Sequence, residues 1–305
     1  MDNEDVIFNA GKQRVFRARN KLDQPGLISH ITQRAAGKEP LFLEETDYLS
    51  MLDVLKKKAE LYKLNFLALC LMPNHIHILI KPEERNLFTG MKDIFSNYAI
   101  RFNRKYQRKG HLFGGPYRQA VCFDAAYLLA ASIYIHMNPA RVGLIDAASN
   151  YRWSSCALYL RKDYVESFVD PRPVLRLLDD DITPAAEQYR LFLKEAKHAG
   201  NDNVLEKEGA VEKLCIKLTE YFPSIFGRLF KRKFSVAEGK QETLSPPELE
   251  VLISSFNSMV STRKPETKKA REYIVQQLKA RGFSQQEIAA RLEVSRKTVY
   301  NILNS

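Results

Sequence analysis

The sequence predicts an α+β protein: an antiparallel sheet with helices on one face, then a mostly helical stretch, then a compact helical module at the end. Three observations carry this. Short β-branched runs alternate with longer helical periods through the first half, the stretch from about 170 to 241 has helical character, and the tail spells helix, helix, turn, helix. In order, "GLISHITQRA" reads as a strand, "EETDYLSMLDVLKKKAELY" as a helix, and "LNFLALCLM" and "HIHILIK" as two strands broken by "PNH". "NLFTGMKDIFSNYAIRFNRKYQR" has helical spacing at Leu87, Met91, Ile94, Phe95, Tyr98 and Phe102. "YRQAVCFD" is a strand, and "AAYLLAASIYIHMN" an apolar helix with Asp124 as its cap and Pro139 as its stop. The order β-α-β-β-α-β with one more helix is that of a ferredoxin-like antiparallel sheet, helices on one face and the other face left for a site.

Composition narrows the function classes. With 305 residues, 45% of them hydrophobic and 10% aromatic, the chain is long enough for two domains and has material for a real core. A formal net charge of +11 and a pI near 9.4 favour a polyanionic partner. No apolar run approaches the roughly 18 residues of a membrane span, and "MDNEDVIFNA" is acidic where a signal peptide is basic. A cytoplasmic, nucleoid-associated protein with no membrane partner is the expectation. Cys70, Cys122, Cys156 and Cys215 are scattered without paired spacing, so buried free thiols are expected rather than disulfides or a zinc finger.

Two groups of residues carry chemistry. On a strand, His75, His77 and Leu79 share one face while Ile76, Ile78 and Ile80 line the other, so both imidazoles aim at one place. Such a pair can hold a metal ion or be two half-exposed polar residues of a sheet face. In "YLLAASIYIHMNPAR" Tyr134 and Asn138 are one turn apart on one helix face. An amide oxygen there would complete a His-His-Asn set beside a hydroxyl able to attack a phosphodiester. Tyr134 taken alone reads as a core aromatic. His136 lies about 200° around the helix from Tyr134 and stays outside the site.

Basic residues give DNA binding a separate footing. From Arg85 to Arg118 there are eight Lys or Arg, among them Arg101, Arg104, Lys105, Arg108, Lys109 and Arg118, against one acid, Asp93. Tyr98, Phe102, Tyr106, Phe113 and Tyr117 interleave with them, the composition of a groove that follows phosphates and stacks unpaired bases. In the tail, Ser284 with Glu287 fits a capping box, Gly282 closes the helix before it, and Ser295 caps the last helix. Helix-turn-helix geometry would then offer Ser295, Arg296, Lys297, Thr298 and Tyr300 to a duplex, with Val294, Val299, Ile302 and Leu303 in the core. Residues 263–305 hold ten basic and four acidic residues, which favours DNA over protein as partner.

In combination, "LMPNHIHILI" resembles the His-hydrophobic-His (HUH) motif and "YIHMNPAR" the tyrosine helix of single-tyrosine HUH transposases, specifically the REP-associated tyrosine transposases of the IS200-like group. "ITQRA", "YAIRFNRKYQRKGHLF", "PYRQAVCFD" and "NYRWSSCALYL" fall in that family's order, so the resemblance spans roughly residues 25 to 160. It departs after "ITQR", where "AAGKEP" stands in place of the family's glycine-asparagine pair. The resemblance implies an HUH nuclease fold and names His75, His77 and Asn138 as ligands of Mg²⁺ or Mn²⁺, with Tyr134 as nucleophile. Ligand type alone would also allow zinc. The implied reaction cleaves and joins single-stranded DNA at REP-type hairpins through a 5′-phosphotyrosine. The expected organisation is a catalytic domain over 1–165, a connecting helical region of no evident role over 166–245, and a helix-turn-helix over 246–305 reading duplex DNA. Monomer and dimer remain equal readings. The rival function is a catalytically silent DNA-binding regulator that keeps the transposase fold.

Overall fold

The computed structural model describes residues 21–37, 39–122, 124–198, 209–231, 265–280 and 283–304, with short pieces at 235–236, 241–242, 253–254 and 256–257. Gly282 lies outside the described residues. In chain order the first elements are β1 (Ser29–Arg34), α1 (Glu45–Leu61), β2 (Leu64–Met72), β3 (His75–Pro82), α2 (Leu87–Lys105), β4 (Arg118–Val121) and α3 (Ala125–Arg141). The strands form one sheet in the order β2-β3-β1-β4, every pair antiparallel, which is the ferredoxin-like arrangement. Register fixes the cross-strand neighbours: Thr32 of β1 lies opposite His77 of β3, and His30 opposite Leu79.

The period-two pattern of β3 divides the sheet as the sequence indicates. Ile76, Ile78 and Ile80 join Ile31, Leu69 and Leu71 against α1 and α2, where Met51, Leu55, Met91, Ile94 and Tyr98 complete a core. Leu79, Ala68, Cys70 and Met72 point the other way, into a second core built with α3. The sheet face left for a site is therefore the face on which α3 lies.

Helix α3 starts where Asp124, in extended conformation, accepts the Tyr127 backbone N–H at 2.7 Å. Every residue from Ala125 to Pro139 is buried. A helix buried all round needs cover on all sides. The sheet covers one side; the other is covered by α6 (Ile182–His198), α7 (Ala210–Tyr221) and α8 (Pro223–Lys231), reached through the short helices α4 (Cys156–Tyr159) and α5 (Arg172–Leu175). Helices α6–α8, from a stretch silent in the sequence, thus supply the outer wall of α3.

Pro139 does not stop this helix, contrary to the sequence expectation. Sitting in the last turn, it removes only the N–H that would bond the Ile135 carbonyl, and its fixed φ is helical. The helix ends two residues later at Arg141. There Gly143, at φ +73°, donates to the Ala140 carbonyl at 3.1 Å, and Leu144 donates to that of Pro139 at 3.0 Å.

The C-terminal module is α9 (Pro265–Ala280), α10 (Gln285–Arg291) and α11 (Arg296–Asn304), around a separate core of Ile274, Val275, Leu278, Ile288, Leu292 and Val299. The capping box forms: Glu287 N–H donates to Ser284 Oγ at 3.2 Å and Ser284 N–H to the Glu287 carboxylate at 2.7 Å. The turn between α10 and α11 places Glu293 at φ +52°, a left-handed conformation unusual for a residue with a side chain. All four cysteines are buried and free.

A buried polar chain ties α3 to its wall. His136 Nδ1 meets the Tyr189 hydroxyl of α6 and His136 Nε2 meets Ser155 Oγ, both at 2.8 Å; Tyr189 donates onward to Ser132 Oγ at 3.1 Å. Burial holds the His136 pKa down to about 3. Between pH 3 and 6.5 the unfolded chain therefore carries a proton on this imidazole that the folded chain lacks. Stability should fall as pH drops through 6.5, by up to about 1.4 kcal/mol per pH unit for this one group, the loss levelling off near pH 3. Urea unfolding at stepped pH should show that slope, and His136→Gln should make it shallower.

Candidate active site

Sheet register brings three imidazoles together. On β3, the His75 and His77 rings stand edge to face with centroids 4.8 Å apart. From β1, His30 Nε2 lies 2.9 Å from His77 Nδ1, and Thr32 Oγ1 lies 3.3 Å from the same atom. His75 Nδ1 is 2.7 Å from Asn74 Oδ1, so the turn residue before the strand fixes that ring's proton on Nδ1. Nε2 of His77 is buried and has no hydrogen-bond partner among the described residues. Desolvation holds His30 down to about 4, and desolvation with the neighbouring positive groups holds His77 well below the usual histidine range, so both rings are neutral at physiological pH.

Tyr134 meets this cluster from α3. Its ring stands edge-on to His77 at 5.8 Å and to His30 at 6.0 Å between centroids. One turn on, Asn138 donates from Nδ2 to the Tyr134 backbone carbonyl at 3.0 Å. With the amide nitrogen held by the helix, its oxygen is the end that remains for another partner. A further turn on, the half-buried Arg141 guanidinium lies 5.7 Å from the Tyr134 ring centroid; burial pulls its pKa below the usual arginine value, with Tyr134 opposing that shift. Tyr134, Asn138 and Arg141 thus form one helix face by the i, i+4, i+7 rule. His75, His77 and Tyr134 are each at most 5% exposed, which makes this a closed site.

Two of these residues, His30 and Arg141, are not singled out by the motifs of the sequence. His30 is 45 positions from His75, and only β1–β3 pairing brings it near. Arg141 carries a legible signal, the third position of the helix stripe that starts at Tyr134. As donors for a divalent cation the set fits: buried imidazole nitrogen, one without a hydrogen-bond partner, beside an amide oxygen. Among the described residues no group of three or more His, Cys, Asp or Glu side chains is disposed to hold a metal ion, so a third protein ligand would have to be of another kind.

The basic run on α2 is arranged differently from its sequence reading. Tyr98, Phe102 and Tyr117 are buried in the core between sheet and helices, with Tyr106 and Phe113 packed against it, so these aromatics are not an open stacking surface. The cause is helical spacing: Tyr98, Phe102 and Tyr106 fall on the inward stripe, and the basic residues between them face outward, where Arg101 and Lys105 meet acids. Lys105 pairs with Glu44 and Asp47, Arg101 with Asp53, and Arg108 with Glu39. Arg104 and Lys109 are exposed and meet no acid among the described residues, and Arg118 is half-buried on β4. Beside this helix a cavity of about 460 Å³ is lined by Phe88, Lys92, His111, Phe113 and Tyr117, with no acidic side chain in its wall.

In the C-terminal module Ser295 accepts the Thr298 N–H at 3.1 Å, and their hydroxyls share a 2.8 Å hydrogen bond. Arg296, Lys297 and Tyr300 project to solvent from α11 while Val299 is buried beneath them. The tail thus presents a basic outer face on a capped helix.

Two family models match separate stretches of the chain. Residues 24–138 match the family model described as transposase IS200 like, and residues 270–304 match an HTH domain model. A solved structure, titled as a REP-associated tyrosine transposase bound to a REP hairpin, aligns at 14% identity and a TM-score of 0.42, over 51% of this chain and 94% of that one. No curated protein matches the chain. No helix among the described residues is long and apolar enough to cross a membrane. For the module at the C-terminus, the cap makes a direct prediction: Ser295→Ala should cost about 1 kcal/mol of local stability, seen as faster amide exchange in α11 with α3 unchanged.

Proposed function

We propose that the IS200-like segment at 24–138 makes this chain a DNA transposase that cuts and joins single-stranded DNA, working as a single-tyrosine HUH enzyme with Tyr134 as nucleophile. The observation that carries the reading is the Tyr134 phenol standing edge-on to His77 within a histidine cluster, on the sheet face that α3 covers. In the proposed step Tyr134 Oη bonds to the scissile phosphorus and the bond to the 3′ oxygen breaks. That oxygen leaves as a 3′-hydroxyl and the 5′ phosphate stays on the tyrosine. The Arg141 guanidinium, 5.7 Å from the Tyr134 ring centroid, would stabilise negative charge that develops on the attacking oxygen. His75, His77 and the Asn138 amide oxygen would hold Mg²⁺ or Mn²⁺, which supplies positive charge to the phosphoryl oxygens. Hairpins of the repetitive extragenic palindromic type are the substrate that the family resemblance suggests.

DNA affinity divides between two surfaces in this reading. Arg104 and Lys109 on the catalytic side contact single-strand phosphates, and Arg296, Lys297 and Tyr300 in α11 contact a duplex. The cavity beside α2, with aromatic and basic walls, suits an unpaired base.

A second reading has its own support. The near-complete burial of Tyr134, His75 and His77 suits a regulator that binds DNA without cutting it. A cleavage assay with Mg²⁺ or Mn²⁺ and labelled single-stranded hairpins separates the two. Wild type should give a protease-sensitive covalent DNA–protein band and Tyr134→Phe none; hairpin binding with no band from either protein sinks the enzyme reading. In a salt titration, Arg104→Ala with Lys109→Ala should lower the slope of log affinity against log salt by about 0.7 for each phosphate no longer neutralised. Arg108→Ala, whose guanidinium is already paired with Glu39, should change it less.

A further inference from the structure

We infer that His30 is a positioning residue that fixes the tautomer of His77 and so keeps His77 Nε2 ready to bind a cation. This rests on the reading of His75 and His77 as metal ligands. A neutral imidazole has one N–H and one lone pair. For His77 to ligate through its unpartnered, buried Nε2, the proton must be on Nδ1. That proton needs an acceptor. His30 Nε2, at 2.9 Å, is the nearest one, and Thr32 Oγ1 at 3.3 Å is a more distant alternative. If His30 Nε2 carried the proton instead, it would donate to His77 Nδ1, push the His77 proton onto Nε2 and block the site.

The fold holds this choice in place. His30 and His77 are both over nine-tenths buried, so neither ring has ready access to water as a substitute partner. They come from neighbouring antiparallel strands, so backbone pairing sets their separation. Their rings lie 5.2 Å apart and tilted by 32°, with Tyr134 edge-on to both. Partners behind a ligating histidine fix ring orientation, and their loss typically weakens metal binding by about 10- to 100-fold.

The test is Mn²⁺ binding by electron paramagnetic resonance, with hairpin-DNA binding in a chelator as the check on fold. Four proteins are compared: wild type, His77→Ala, His30→Phe and His30→Gln. His30→Phe keeps an aromatic ring and loses the acceptor, so its Mn²⁺ affinity should fall by about 10-fold or more while metal-free DNA binding stays within about 2-fold. His30→Gln, whose amide oxygen can accept the same proton, should recover most of the affinity. Wild-type affinity in His30→Phe overturns the proposal. Equal Mn²⁺ binding by wild type and His77→Ala overturns the metal reading itself, and the role of His30 with it. A measurement on the unaltered protein needs no variant to fold: long-range ¹H–¹⁵N spectra of the metal-free chain should show His77 protonated on Nδ1. Protonation on Nε2 refutes the assignment.

Discussion

The burial of α3 from two sides is the constraint on which the rest depends. Its residues are buried around the whole circumference, so it cannot lie on the sheet as an amphipathic helix with one wet face. Sheet residues such as Leu79 and Met72 take one side, and Tyr189, Phe192 and Leu214 of α6 and α7 take the other. Held this way, α3 has little freedom to rotate or slide, and Tyr134 is presented to the histidines by a rigid element. Precision in such sites comes from helices and strands locked by packing. The His136–Tyr189–Ser132 chain adds direction to that packing, because hydrogen bonds in a dry interior fix angles that apolar contacts leave loose.

Much of this architecture is readable in the sequence because it is governed by short-range periodicity. The alternation in "HIHILI" separates histidines from isoleucines, and the strand and helix order is sufficient to specify the ferredoxin-like sheet. Ser284 and Glu287 identify the start of α10 by spacing alone. The unreadable part depends on contacts between distant segments. His30 acquires meaning only through the register of β1 against β3. The wall formed by α6–α8 is invisible because amphipathic helices announce a buried face without saying what buries it. Pro139 misleads for a local reason: it sits in the last turn, where its fixed φ is helical and only the one hydrogen bond to the Ile135 carbonyl is lost.

The basic face of α2 shows how a charge count differs from a charge surface. Net positive charge along residues 85–118 is real in the sequence, yet acids of the preceding loop and α1 neutralise Arg101, Lys105 and Arg108. Exposed pairs of this kind contribute little to stability, and a polyanion can compete for the cation. They are better understood as placing the field than as holding the fold. The Tyr98 hydroxyl, donating to the Leu41 carbonyl at 2.5 Å, shows the same helix anchored inward by its aromatics.

The shared core of α3 and α6–α8 bears on where this chain can be divided. The family match ends at residue 138, inside α3, but the material that completes that helix's environment continues to about residue 231. A protein cut back to the matched segment would expose the leucines and alanines of a helix that is otherwise buried on every side. Such a fragment would self-associate through that stripe. The inheritable unit of this architecture is therefore longer than its recognisable motif: a sequence that gained or lost the wall would have to rewrite α3 in the same step.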